Sequence, residues 1–298
     1  MNEHKIHFYT SNAFTKKKRG GNPAGIVLDM DTLADAVKQK IAARVGLSET
    51  AFVQKSTVAD IKTTFFTPTA EVDLCGHATI AVFSLLFELG RINPGKYRQE
   101  TRAGILGVEV KQDGTVFMEQ ALPSFGKAID AREVARSLGT NLDSLLPDLP
   151  VQIVSTGLSD IIIPVTSLRV LLSIKPDFDE IAAISKKYGV VGYHVFSLET
   201  KGRATAHCRN FGPLYGIPEE AATGTSSGAL ACYLFKHGKI SGEQAQRLVF
   251  EQGYSMKRPS EILVRLDLKD NAIERVRVGG KATAAEKLET SINQEDGQ

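Results

Sequence analysis

The chain has 298 residues, 42% of them hydrophobic, and a formal net charge of +2. That is enough apolar material for two cores of ordinary size, and two domains is the natural expectation. The near-neutral balance excludes a general basic face for nucleic acid. No apolar run approaches the roughly 20 residues that a bilayer-spanning helix needs. The opening MNEHKIHFYT lacks the apolar core of a signal peptide, and the three cysteines, Cys75, Cys208 and Cys232, have no paired spacing. Together these features argue for a reducing, cytoplasmic setting.

In chain order, strand-like runs are read at Ile6 to Tyr9 and Gly25 to Leu28, separated by the basic cluster Lys16-Lys17-Lys18-Arg19, which reads as a solvated loop. Asn22 and Gly25 in GGNPAG read as turn chemistry. A helix follows, with Asp31 or Thr32 as N-cap, Leu33, Val37, Ile41 and Val45 on one face and Gly46 as its stop. Further strands are expected at Ala51 to Gln54, Ile61 to Thr67, Ile105 to Lys111 and Thr115 to Glu119, the last two joined by an Asp113-Gly114 hairpin. In the second half they fall at Val151 to Ser155, Ile161 to Val165, Leu168 to Leu172, Tyr193 to Leu198, Ala204 to Phe211, Leu248 to Glu251 and Ile262 to Leu266.

One segment repeats. Phe66, Pro68, Glu71, Cys75, Gly76 and His77 with the apolar run Ala78 to Gly90 return as Phe211, Pro213, Glu219, Thr223, Gly224 and Thr225 with the run Ser226 to Gly238, the two glycines lying 224 − 76 = 148 residues apart. Neither run carries a polar face, so each is expected to be a helix buried nearly all round and wrapped by strands. The start of such a helix offers amide N–H groups without intrahelical acceptors and the positive end of the macrodipole. Two such starts converging on a cleft between similar halves would suit a small carboxylate and a developing enolate. The halves are expected at 1–124 and 125–298, with a final strand near 272–282 able to return to the first domain and a frayed tail over 291–298.

The strings GGNPAGIVLD, LSETAFV, FFTPTAEVDLCGHAT, VSTGLSDIIIPV, GIPEEAATGTSSGAL and EQGYSMKRPSEILV occur in this order between about Ile6 and Ala282. The chain thereby resembles the phenazine-biosynthesis PhzF-like isomerase family. The resemblance implies an α+β, diaminopimelate-epimerase-like fold of two pseudo-symmetric domains, each a mixed β-barrel around a central apolar helix. It also implies homodimerisation.

Glu49 sits between the helix stop and an apolar strand, where partial desolvation should raise its pKa toward neutrality. A surface salt bridge or a cap is the plain alternative for such a turn carboxylate, and the resemblance makes the matching Glu the general acid/base. His77, in the first turn of a buried helix, should be held neutral by the dipole and able to donate to a substrate oxygen or relay a proton; the family's matching His lines the site. At Glu219-Glu220-Ala221-Ala222-Thr223-Gly224 the family pattern has Glu-Asp-Pro-Ala-Thr-Gly, so Glu220 keeps the Asp charge on a side chain one methylene longer and without the rigid Pro. The catalytic candidates are therefore Glu49, His77 and Glu220. Ser48, Asp73, Cys75, Gly76, Ser155, Thr223, Gly224 and Thr225 are the candidate substrate-binding residues.

The expected chemistry is cofactor-independent isomerisation, a proton moved between carbons of a small unsaturated or cyclic amino or hydroxy carboxylic acid. Two alternatives stand beside it: a cysteine-dependent epimerase or racemase of the same fold, and a non-catalytic carboxylate-binding protein. The epimerase lacks a second thiol at the position that repeats Cys75, where the chain has Thr223. No metal is expected, because Cys75 and His77 have no partner pair at zinc-like spacing and His207 and Cys208 adjoin in a strand.

Overall fold

The computed structural model describes residues 3–31 and 33–293. Among them no helix is long and apolar enough to cross a membrane. The chain forms two compact units, one running to Met118 and resumed from Gly279, the other from Glu119 to Val278.

The first unit opens with β1 (Glu3–Ala13) and β2 (Asn22–Val27), then α1 (Asp35–Val45), β3 (Thr50–Gln54), β4 (Ile61–Phe66) and β5 (Glu71–Val72). It continues with α2 (Gly76–Glu88), β6 (Gly95–Thr101), β7 (Gly104–Val110) and β8 (Val116–Gln120). β1 and β2 run antiparallel, β2 and β3 parallel, β3 and β4 antiparallel. β4 then takes β5 antiparallel and β6 parallel, and β6, β7 and β8 close an antiparallel meander.

The second unit holds β9 (Ser124–Ala128), α3 (Ala131–Ser137), β10 (Gln152–Ser155), β11 (Ser159–Pro164), α4 (Leu168–Ser173), α5 (Phe178–Tyr188) and β12 (Gly192–Ser197). After these come β13 (Ala206–Gly212), β14 (Ile217–Glu220), α6 (Gly224–Lys236), β15 (Leu248–Gln252), β16 (Ser260–Lys269) and β17 (Ala272–Gly280). Its pairing repeats the first unit step for step: β10 with β11 antiparallel, β11 with β12 parallel, β12 with β13 antiparallel. β13 likewise takes β14 antiparallel and β15 parallel, and β15 and β16 are antiparallel. The duplication legible around Gly76 and Gly224 is thus a duplication of sheet topology.

β18 (Glu286–Asn293) pairs antiparallel with β1, in the place that β9 takes beside β10. The chain from Gly279 on therefore lies with the first unit, whereas a division at 124/125 leaves most of it with the second; the reason is that β1 needs an outer partner, which the sequence supplies only at its far end. Ser291 to Asn293, assigned to the frayed tail, are strand, and 294–298 lie outside the described residues.

The strands wrap a helix in each unit. α2 packs on β1, β2, β3 and β7, and α6 on β10, β11 and β16. Consistent with their lack of a polar face, α2 is buried continuously from His77 to Phe83 and α6 from Ser226 to Leu234. The outer face of the first sheet is covered by α1, where Val37, Ile41 and Ala42 meet Ile6, Phe8, Phe52 and Phe66. In the second unit α3 and α5 do the same, with Val134, Leu138, Ile181 and Ile184 against Ile161, Ile163, Tyr193 and Val195.

Three local expectations differ. Leu168 to Leu172 is α4 rather than a strand: Ser167 Oγ accepts from Val170 N (3.2 Å), capping a leucine-rich turn that has good helix propensity. The first helix begins at Asp35 after Ala34, so neither Asp31 nor Leu33 is within it, and Thr32 lies outside the described residues. Gly46 does end it, at φ 67°. Asn22 and Gly25 are not in a turn but in β2, and a Cβ on Gly25 would come within 2.8 Å of Thr50 Oγ1, so glycine is what lets β2 and β3 pair.

Candidate active site

Glu49 is delivered by the short link between the left-handed Gly46 and β3. Its carbonyl accepts from Gly25 N (3.0 Å), which ties the link to β2, and its side chain is 15% exposed. His77 is the second residue of α2, with its ring buried against the link. Glu49 Oε2 lies 3.2 Å from His77 Nε2, yet no N–H is aimed at that oxygen within hydrogen-bond geometry. Cys75 Sγ lies 3.4 Å from His77 Nδ1 and 3.9 Å from Nε2, and Ser48 Oγ lies 3.5 Å from Nε2.

The protonation of this group differs from the sequence expectation, which had Glu49 raised and His77 neutral. Burial pushes the Glu49 carboxyl up, but the His77 charge, with contacts to His77 and Ser48, outweighs it and holds the group below the ordinary carboxylate value. Burial pushes the His77 imidazole down, and Cys75 and Glu49 raise it well above the ordinary histidine value. Of those two, Glu49 acts at neutral pH, because burial and the Glu49 charge raise Cys75 and keep it a thiol. A carboxylate at this distance is worth about 5 kcal/mol at an effective dielectric near 20. A helix dipole supplies roughly 0.3–1 kcal/mol. The dipole argument for a neutral His77 is therefore overruled by a neighbour that only the fold supplies.

Asn22 is the residue that sequence reading missed. Its Nδ2 lies 3.3 Å from His77 Nδ1, and the residue is 5% exposed. The alternation of β2 turns its side chain to the face on which α2 lies. GGNPAG, read as a turn, held the signal; a polar residue at a strand start opposite a buried His is visible only once the pairing is known.

α2 begins without a side-chain cap on its first amides, and so does α6. A Cβ on Gly76 would meet only Met118 Sδ, at 3.5 Å, so no protein atom demands glycine there and the approach to the first amide of α2 stays open. Asp73 is not drawn into the cluster: its side chain is 70% exposed and reaches Arg102 Nε at 3.3 Å.

In the second unit, Glu220 Oε2 accepts from Thr223 Oγ1 (2.5 Å), and Gln252 Nε2 donates to Thr223 Oγ1 (3.0 Å) and to the Glu220 carbonyl (2.8 Å). Gln252 Oε1 in turn accepts from Thr223 N (3.2 Å). Glu220, Thr223, Gly224 and Thr225 thus surround the start of α6, anchored by a glutamine on β15. Glu219 is apart from this, forked onto Arg209 at 2.8 and 2.9 Å. Ser155 Oγ accepts from Gly157 N (3.1 Å), the capping of a turn. Asp160 reaches into the first turn of α6, accepting from Ser226 Oγ (2.5 Å). Cys208 and Cys232 are buried thiols pushed up by burial, Cys232 to about 12. His207 pairs with Glu251 at 3.1 Å, both fully buried.

Two duplicated sheets wound on buried helices, with a Glu, His and Cys gathered at one helix start, define an α+β protein of the diaminopimelate-epimerase-like fold. The chain belongs to the PhzC-PhzF family of phenazine biosynthesis-like proteins, whose model matches residues 11–287, and it is an isomerase. It is 35% identical to an uncharacterized isomerase of Clostridium acetobutylicum over 97% of this chain and 99% of the relative. A solved PhzF-family phenazine biosynthesis protein of Bacillus anthracis superposes with a TM-score of 0.87 at 33% identity, covering 97% of this chain and 100% of that one. The trans-2,3-dihydro-3-hydroxyanthranilate isomerase of Pseudomonas chlororaphis is 28% identical over 92% of this chain and 95% of its own length.

Proposed function

We propose that the protein isomerises a small unsaturated or cyclic amino or hydroxy carboxylic acid by moving a proton between two of its carbons, with Glu49 as the acid/base and no cofactor. The observation that carries this reading is the Glu49 carboxylate itself: largely buried, 3.2 Å from His77 Nε2, and with an oxygen to which no donor is directed. Glu49 takes the proton from one carbon while the C–H electron pair passes into the conjugated acid. The uncapped first amides of α2 hold the negative charge that develops. Glu49 then returns the proton to a second carbon, leaving the enzyme unchanged. His77 keeps Glu49 ionised between turnovers. Asn22 orients the His77 ring.

The substrate class draws support from the Pseudomonas chlororaphis relative, whose substrate is a dihydro-hydroxyanthranilate. Glu220-Ala221, where the family pattern has Asp-Pro, supports a substrate differing from that one in size or in the group it presents. The reading is tested by incubating the protein in D₂O with a panel of such acids and measuring carbon-bound deuterium by mass spectrometry. Uptake with the wild type that is lost in Glu49→Gln, at a ligand affinity changed only a few-fold, is the expected result. Undiminished exchange in Glu49→Gln would reject Glu49 as the base.

A further inference from the structure

We propose that the second unit carries a binding site for a phosphate monoester with a small apolar body, held by Arg203, Lys239 and Arg247, with no residue of the Glu49–His77 cluster in it. β13 and β15 run parallel and side by side, Ala206 opposite Phe250, so the segments that enter them adjoin. These are the connection from β12 and the connection from the end of α6. Between them lies a cavity of about 590 Å³, a volume within the roughly 300–1,000 Å³ of small-molecule sites. Leu198, Ile240 and Leu248 give it an apolar wall, and the three cations and one carboxylate, Glu243, make up its charged lining.

Three cations against one carboxylate leave the lining positive. Among the described residues, neither the Arg203 nor the Arg247 guanidinium has an ion pair or a hydrogen bond. Lys239 Nζ donates to Asp148 at 2.5 Å, and because an ammonium has three protons, two stay available. Gathering like charges around one hollow costs electrostatic energy that a bound anion removes. Each guanidinium is a fork matched to two oxygens, so a single fork satisfies a carboxylate, whereas two forks and an ammonium match the three outer oxygens of a phosphate ester. The apolar wall, where Leu198 is 40% exposed, is what the body of the ester covers.

The cations are carried on pinned backbone. Lys201 N donates to Glu251 Oε2 (3.1 Å), and the buried Glu251 lies 3.1 Å from His207 Nδ1 and accepts from Tyr254 Oη (3.3 Å). Thr205 N donates to the Val249 carbonyl (2.6 Å), and Thr205 Oγ1 accepts from Val249 N (3.1 Å). Arg203 is thereby fixed from both sides, and the buried His207–Glu251 pair, which the proposed proton transfer does not use, becomes the anchor of its loop. On the opposite wall Lys239 N donates to the Leu234 carbonyl (2.9 Å) and Gly238 N to the Phe235 carbonyl (3.1 Å), which takes up two α6 carbonyls that would otherwise repel an anion. Arg247 N donates to the Gln244 carbonyl (2.9 Å), and Ser241 N to Gln244 Oε1 (2.8 Å), closing the turn that leads into β15. A lining held in place before the ligand arrives loses less entropy on binding.

The test is isothermal titration calorimetry of the full chain with phenyl phosphate, inorganic phosphate and benzoate as probes, in the absence of any substrate. Phenyl phosphate should bind at least about fivefold more tightly than either of the other two, and more weakly as salt is raised. Arg203→Ala and Arg247→Ala should each weaken it by about fivefold, and the double variant should remove it, with far-UV circular dichroism unchanged because both side chains are exposed. Arg132→Ala, which removes an exposed arginine of the same unit outside the cavity, should leave the affinity within about twofold. A wild type that does not bind phenyl phosphate, binding that survives the double variant, or equal affinity for inorganic phosphate or benzoate would overturn the proposal. Because binding is read without turnover, this result and the deuterium-exchange result fail independently.

Discussion

Asp160 gives the sharpest quantitative test of the second unit. The residue is 2% exposed on β11, accepts from Ser226 Oγ in the first turn of α6, and leaves Oδ1 without a partner. Burial raises its carboxyl from the ordinary 3.8 to about 6, against the lowering effect of hydrogen bonds from Ser226 and the Gly192 backbone. A shift of about 2 units corresponds to about 3 kcal/mol. Because the folded state holds this proton more tightly than the unfolded chain, the contribution is absent below the unfolded value. It grows as a penalty while pH rises from about 4 to about 6, and it is constant above that. Asp160→Asn cannot ionise and escapes the penalty. Urea unfolding of both proteins across pH 4 to 8 should therefore show the variant gaining about 3 kcal/mol relative to wild type as pH rises, nearly all of it by pH 7. A stability difference flat across that range, or one moving the other way, would refute the assignment of Asp160 as a desolvated carboxyl.

Removing the amide beside His77 with Asn22→Ala should lower kcat by about tenfold or more while KM changes little, since positioning losses of about 1 Å are costly in a proton-transfer site; steady-state kinetics on the substrate identified by deuterium exchange checks this. Cys75→Ser should retain turnover within about tenfold, because the thiol is held protonated and the proposed proton carrier is Glu49, whereas a cysteine-dependent epimerase would lose several orders of magnitude. Gly192→Ala should prevent stable folding of the second unit, detected by loss of the cooperative unfolding transition, because its Cβ would sit 1.9 Å from the Phe211 carbonyl oxygen, far inside contact distance.

Much of the fold could be read along the chain because its determinants are local or repeated. The runs flanking Gly76 and Gly224 are apolar all round, which permits burial and little else, and their repetition announced two similar units. The runs at Ala51, Tyr193 and Leu248 carry the β-branched and aromatic residues of buried strands, and they are β3, β12 and β15. Glu49, His77 and Cys75 were visible as candidates because chemistry-bearing residues adjoined turns and helix starts. Where the reading failed, a partner outside the run itself was responsible. Leu168 to Leu172 has the composition of either element until Ser167 caps it as a helix, and β18 is polar, a strand because β1 offers it an edge.

The sequence by itself determined the duplicated plan, the two buried helices and the residue types at their starts, since periodicity and composition act over a few neighbouring positions. Only tertiary structure decided that Glu49 stands 3.2 Å from His77, that Asn22 reaches the far side of the same ring, and that the carboxyl is held below and the imidazole above its ordinary value. Electrostatic energy depends on separation in space, and residues 22, 49, 75 and 77 acquire theirs when β2, the link into β3, and α2 pack together.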